Sequence, residues 1–196
     1  MDIRASVKSV NLEGVVKTYF EIYVLDSTGT LPDVVDSIQI TGPSGVLPHN
    51  KVDFAWRDDA IVSTQFFLDV EGAPEAGLYT FSLTIGGDTQ EDTDTQESPS
   101  SIPAANITGP TGQVAAGDID FTWDPVTYAG DKYYGIRIKT AGGTTIVNSP
   151  RLLDDLLHTE NLSVGNYQFI VIVQDSSNWQ SVNNRSMTAW SPFEVI

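Results

Sequence analysis

The side chains able to titrate, attack or bind a metal are few here, apart from the acids. The chain holds 2 His, no Cys, and 26 Asp plus Glu against 10 Lys plus Arg, for a net charge of −16. Without cysteine there is no disulfide, no thiolate nucleophile and no Cys-ligated metal. His49 lies in the turn Leu47-Pro48-His49-Asn50, and His158 lies between Leu157 and Thr159. A serine triad needs a histidine oriented by a carboxylate, and nothing local offers that to either. The acids Asp58-Asp59, Asp118/Asp120/Asp124 and Asp154-Asp155 have the composition of glycosidase pairs. So acidic a chain produces such pairs by chance, and the expectation is a protein that is not an enzyme.

Two binding chemistries remain. Calcium takes hard oxygen ligands from loops. Asp92 and Asp94 alternate with threonines, and Asp26, Asp58 and Asp59 are expected to converge at one end of the first half. These five are the candidate calcium ligands, although Asp92-Thr-Asp94-Thr lacks the glycine of a calcium loop. No other cofactor is expected. The second chemistry is aromatic stacking. Trp179 sits in the polar stretch Asp175-Ser-Ser-Asn178-Trp179-Gln180-Ser-Val-Asn183-Asn184. A tryptophan among amides suits a carbohydrate or peptide contact, so Asp175, Asn178, Trp179, Gln180, Asn183 and Asn184 form the candidate ligand site. Trp56 and Trp123 fall in alternating segments and are expected in the core.

The elements that would position these residues are strands. Period-two alternation recurs at Ile3/Ala5/Val7, Val16/Thr18/Phe20/Ile22/Val24, Ile38/Ile40, Val52/Phe54/Trp56, Phe66/Leu68/Val70 and Tyr79/Phe81/Leu83/Ile85. It resumes at Ile119/Phe121/Trp123, Tyr134/Ile136/Ile138 and Tyr167/Phe169/Val171/Val173, and Phe193–Ile196 is expected as a last strand. Turn residues such as Gly42-Pro43-Ser44-Gly45 and Gly86-Gly87-Asp88 punctuate the pattern. Leu152–Leu157 reads as one helical turn. From Gly86 to Ser101 no large apolar residue occurs, so residues 88–102 read as an acidic linker. Before residue 102 there are 17 acids against 5 bases, and after it 9 against 5. The fold class expected is all-β, with two tandem sandwiches over residues 1–97 and 103–196.

Two echoes cross the halves. Ile40-Thr-Gly-Pro-Ser-Gly45 recurs as Ile107-Thr-Gly-Pro-Thr-Gly112, and Ala76-Gly-Leu-Tyr79-Thr-Phe81 recurs as Val164-Gly-Asn-Tyr167-Gln-Phe169. Their offsets differ, so the halves share pieces of grammar without being a plain duplication.

The second half resembles a fibronectin type III-like or immunoglobulin-like module of bacterial surface proteins. The carriers are Phe121-Thr-Trp123-Asp-Pro125-Val126, Tyr133-Tyr134-Gly-Ile-Arg-Ile138, Leu162-Ser-Val-Gly165-Asn-Tyr167-Gln-Phe169 and Asn184-Arg-Ser186. The run Leu162-x-x-Gly165-x-Tyr167 resembles a tyrosine corner. The first half resembles a bacterial immunoglobulin-like module through Phe20–Asp26, Ile38–Gly45 and Pro74–Phe81. The resemblance implies tandem sandwiches in a secreted or cell-surface protein, with neighbouring domains, and implies no activity. No leader precedes the pattern that starts at Ile3, so an extracytoplasmic setting implies one outside this sequence.

The expectation for function is a structural or interaction segment: a spacer, an adhesion element or a presenter of ligand loops. A carbohydrate-binding accessory module and a calcium-rigidified linker are the alternatives. Protein or carbohydrate are the expected partners. Nucleic acid is disfavoured by the charge, and no run reaches the roughly 18 apolar residues of a membrane span.

Overall fold

The structure is a computed structural model that describes residues 2–25, 31–59, 63–178 and 181–196. The chain divides into two units. Unit 1 comprises Met1–Ser9 and Lys17–Pro99, and unit 2 comprises Val10–Val16 and Ser100–Ile196. The division departs from a single cut near residue 100 in one segment, Val10–Val16.

The first eight strands are β1 (Asp2–Leu12), β2 (Val15–Leu25), β3 (Val35–Gly42), β4 (Gly45–Val46), β5 (Ala55–Asp59), β6 (Ser63–Glu71), β7 (Gly77–Ile85) and β8 (Asp88–Gln96). One layer runs β1-β2-β6-β5 and the other β4-β3-β7-β8. That is the ABED and C′CFG order of an immunoglobulin-like sandwich. The alternating apolar sets meet between the layers: Ile3, Val7, Phe20, Ile22, Val24, Ile38, Ile40, Phe66, Tyr79, Phe81 and Leu83 form one buried cluster. Each such side chain contributes about 1.5–3 kcal/mol when fully buried.

Three expectations fail in unit 1. Residues 88–96 are no linker. Gly86 and Gly87 both take positive φ (60° and 86°) in the two-residue turn between Ile85 and Asp88. That turn matches strand twist and reverses the chain, so β8 pairs with β7 from Ile85↔Asp88 to Gly77↔Gln96. The strand escaped a search for apolar alternation because its inward positions, Gln90, Asp92, Asp94 and Gln96, are all polar. The stretch without regular structure here is residues 97–106. Val52 lies on a short 3-10 turn and is exposed, not on a strand. Trp56 is 51% exposed while Phe54 is buried, because β5 ends its layer and leaves Trp56 without a neighbour on one side.

Unit 2 continues with β9 (Ile107–Gly109), β10 (Gly112–Val114), β11 (Gly117–Trp123), β12 (Tyr133–Thr140), β13 (Thr145–Asn148), β14 (Leu152–Leu153), β15 (Leu157–Leu162), β16 (Gly165–Gln174), β17 (Asn184–Met187) and β18 (Ser191–Val195). One layer is β15-β11-β9. In the other, β12 pairs with β13 and β14 on one side and β16 on the other, and β16 pairs in turn with β17 and β18. This is the three-plus-four arrangement of a fibronectin type III-like sandwich, with β10 added in parallel to β18. Leu152–Leu157 is therefore not a helical turn: its first two residues pair with Tyr133 and Tyr134. The core holds Phe121, Phe169 and Phe193 edge to face, with centroids 4.9 and 5.5 Å from Phe121. Trp123 is buried as expected and donates Nε1–H to the Asp155 carbonyl at 3.1 Å.

The two echoes separate. Both tyrosines form corners: Tyr79 Oη donates to the Glu75 carbonyl at 3.1 Å, and Tyr167 Oη to the Ser163 carbonyl at 2.9 Å. The Thr-Gly-Pro echoes do not coincide. The first closes a hairpin in which Gly42 pairs with Gly45, and the second carries the chain from the β9 layer to the β10 layer through a cis Gly109-Pro110 bond. Gly42 has a further cause, since a Cβ there would lie 3.0 Å from Tyr79 Cε1.

Candidate functional site

The loop that follows β16 is tied at its base. Asp175 Oδ1 accepts the Asn183 amide at 3.1 Å, and Oδ2 accepts the Asn184 amide and Nδ2, both at 2.9 Å. Burial pushes the Asp175 carboxyl above its ordinary range, and these donors pull it partly back. Asn184 is buried, and its Oδ1 accepts the Ser100 amide at 2.8 Å. Its Nδ2 also approaches Tyr128 Oη at 3.3 Å, which Ser100 Oγ contacts at 3.2 Å. Asn178 accepts the Ser181 amide through its carbonyl, and its own amide donates to Ser176 Oγ. Of the six candidate ligand residues, Asp175, Asn183 and Asn184 thus converge, but on the base of the loop, where they hold its shape. Trp179 and Gln180 lie outside the described residues.

The candidate calcium ligands divide similarly. Asp92 Oδ2 accepts the Ala5 amide at 2.7 Å, and Asp94 Oδ2 accepts the Val7 amide at 2.8 Å. The two carboxylates, spaced by two on β8, cap successive same-side amides of β1, so strand periodicity accounts for their alternation. Burial raises the Asp94 carboxyl above its ordinary range, against the pull of the Val7 and Thr95 amides and of Lys8. Asp26 lies outside the described residues, as do the side chains of Asp58 and Asp59. Among the described residues no three His, Asp or Glu side chains gather as a metal would need.

Three further candidate acids are committed to neighbours. Asp118 and Asp120 accept from Asn161 Nδ2 and Thr159 Oγ1 across β11 and β15, each at 2.7 Å. Asp124 accepts from Asn106 Nδ2 at 2.7 Å. His158 Nε2 lies 3.3 Å from Glu160 Oε2. Both stand opposite the buried Phe121 and Ile119 on β15, which among the described residues pairs with β11 alone. Inward-pointing charge on an edge strand opposes addition of another strand.

Two clusters were not legible in the sequence. In unit 1, Lys8 is fully buried and pairs with Glu21, 4% exposed. Glu21 also accepts from Ser6 Oγ at 3.2 Å and Gln65 Nε2 at 2.9 Å, and Arg57 Nε donates to Gln65 Oε1 at 2.6 Å. In unit 2, Arg137, Arg151 and Arg185 share one region. Burial first, then Arg185 and Arg137, lower the Arg151 guanidinium to about 10. Gly135 makes room, since a Cβ there would meet the Pro150 carbonyl at 2.6 Å. The only sequence signal for either cluster was a charged residue inside an alternating strand, at Lys8, Glu21 and Arg137.

No family model and no curated protein matches the chain. Among solved structures it is similar to one titled "Cytokine receptor complex - Crystal form 1A", at 16% identity over 97% of this chain and 95% of that one, with a TM-score of 0.35. A likeness at that level carries no argument. The class, two β-sandwiches of immunoglobulin and fibronectin type III type, rests on the strand order of each unit. Among the described residues no helix is long and apolar enough to cross a membrane.

Proposed function

We propose that the chain is a non-catalytic interaction segment of a secreted or cell-surface protein, built from modules of the bacterial immunoglobulin-like and fibronectin type III-like families. Its role is to hold binding loops and sheet faces at fixed positions. One observation carries this reading: among the described residues, several polar groups, candidate ligands included, are spent on holding backbone in place. Asp92, Asp94 and Asp175 accept backbone amides, and Tyr79 and Tyr167 lock the starts of β7 and β16. Groups saturated by structural bonds are poor acids, bases and nucleophiles. Fixed strands lose little entropy when a partner binds.

The test combines two measurements on the whole chain. Pulling it between surface attachments in a force microscope is expected to give discrete, high-force unfolding events. In parallel, ester, glycoside and phosphate reporter substrates are expected to show no turnover. Smooth extension without peaks would remove the mechanical reading. Turnover that disappears in a carboxylate variant such as Asp154→Asn would make the chain an enzyme.

A further inference from the structure

Two open surface depressions of unit 2 adjoin at Pro192. One has a volume of about 550 Å³ and the other about 520 Å³. Both fall in the size range of small-ligand sites, about 300–1,000 Å³. Strand register sets out the side chains between them. Lys139, Gln168 and Pro192 are aligned across β12, β16 and β18. Asn166, Glu194 and Gln113 are aligned across β16, β18 and β10. Trp190 stands at the edge of the same face, with Lys139 Nζ 3.8 Å from its ring centroid. Gln113 Nε2 donates to Glu194 Oε2 at 2.7 Å, which orients that carboxylate. Asn166 is exposed and Gln168 half-buried, and both line the first depression.

We propose that this face binds a neutral glycan. Amide side chains present a donor and an acceptor together, as sugar hydroxyls do. The opposite charges of Lys139 and Glu194 offset one another, so the trough does not select an ion. Lys139 Nζ covers one face of the Trp190 ring, and the ring also lines the second depression, where it supplies the apolar platform that the C–H face of a pyranose covers. A peptide strand is a poor alternative. Pro192 has no N–H to donate, and β10 already occupies the edge of β18 at Phe193–Val195. Sequence inspection pointed instead to Trp179, because Gln113, Lys139, Gln168 and Trp190 come from separate segments and share no motif. The inference deepens the interaction reading above by naming a ligand class.

The experiment is calorimetric titration of the whole chain with cellohexaose, xylohexaose, chitohexaose and mannohexaose, with a galacturonate hexamer as the charged comparator. Binding of at least one neutral hexamer is expected. Trp190→Ala should weaken it by at least about tenfold and Gln168→Ala by about fivefold, while Trp56→Ala leaves it unchanged. Gln168→Ala keeps the test decisive should Trp190→Ala disturb folding, which circular dichroism would show. No binding of any neutral hexamer at millimolar concentration, binding of the charged hexamer alone, or binding that survives both unit 2 substitutions would overturn the proposal. Those failures leave the interaction reading standing, whereas enzymatic turnover would remove that reading and leave this one.

Discussion

The two tyrosine corners look alike in sequence and should differ in energy. Tyr79 is 3% exposed, and its hydroxyl bond to the Glu75 carbonyl is partly buried. Tyr79→Phe removes a hydrogen bond and leaves that carbonyl poorly solvated, a loss of about 2 kcal/mol. Tyr167 bonds the Ser163 carbonyl in a solvent-exposed setting, where water replaces the hydroxyl. Tyr167→Phe should therefore lose only about 0.5 kcal/mol. For sandwiches of this size these figures correspond to Tm shifts of about 8–16 °C and about 2–4 °C. Urea titration followed by tryptophan fluorescence would measure both, with unchanged m-values showing that compactness is retained. Burial also raises the Tyr79 phenol above its ordinary pKa of 10.0. The folded state then keeps a proton that the unfolded state releases, so this group's stabilisation is lost as pH climbs above about 10. The gap between wild type and Tyr79→Phe should narrow there. Equal costs at the two corners, or a gap constant across that range, would refute the assignment of burial as the deciding term.

Other perturbations follow from the same bonds. Lys8→Met strands the Glu21 carboxylate in a buried site and should cost about 3–5 kcal/mol; the double variant Lys8→Met/Glu21→Leu should recover most of it in urea melts, and a strictly additive loss would speak against a coupled pair. Asp92→Ala with Asp94→Ala uncaps the Ala5 and Val7 amides, so light scattering should show more self-association than in wild type, as open strand edges attract strands. An unchanged molar mass at all concentrations would contradict this. Asp175 has a raised carboxyl, so its stabilising share is fullest below about 3.8 and declines as pH rises through the folded value. Asp175→Asn places an amide NH₂ against at least one donor, a cost of about 1–3 kcal/mol, and its deficit should shrink as pH rises above the ordinary carboxyl value of 3.8. A deficit that grows instead would mean that hydrogen bonding outweighs burial at this site.

Alternation of apolar residues determined much of this protein before any coordinates. It placed Phe20, Ile22, Phe81, Phe121, Phe169 and Val171 in cores, because a strand turns every second side chain to one face. The run Leu162-x-x-Gly165-x-Tyr167 marked one corner, because a bond from Tyr Oη to a carbonyl four residues back is local, and the structure shows that its echo at Gly77-x-Tyr79 is a second. The tertiary structure decided the rest. It made a strand of Asp88–Gln96, whose polar inward face finds its partners on β1 far along the chain. It moved Trp56 to a layer edge, gave one Thr-Gly-Pro motif a hairpin and the other a change of layer, and gathered Trp190, Lys139 and Gln168 on one surface. Period and turn chemistry are written in neighbouring residues. Edges, caps and shared faces depend on which strands become neighbours, and long-range pairing alone sets that.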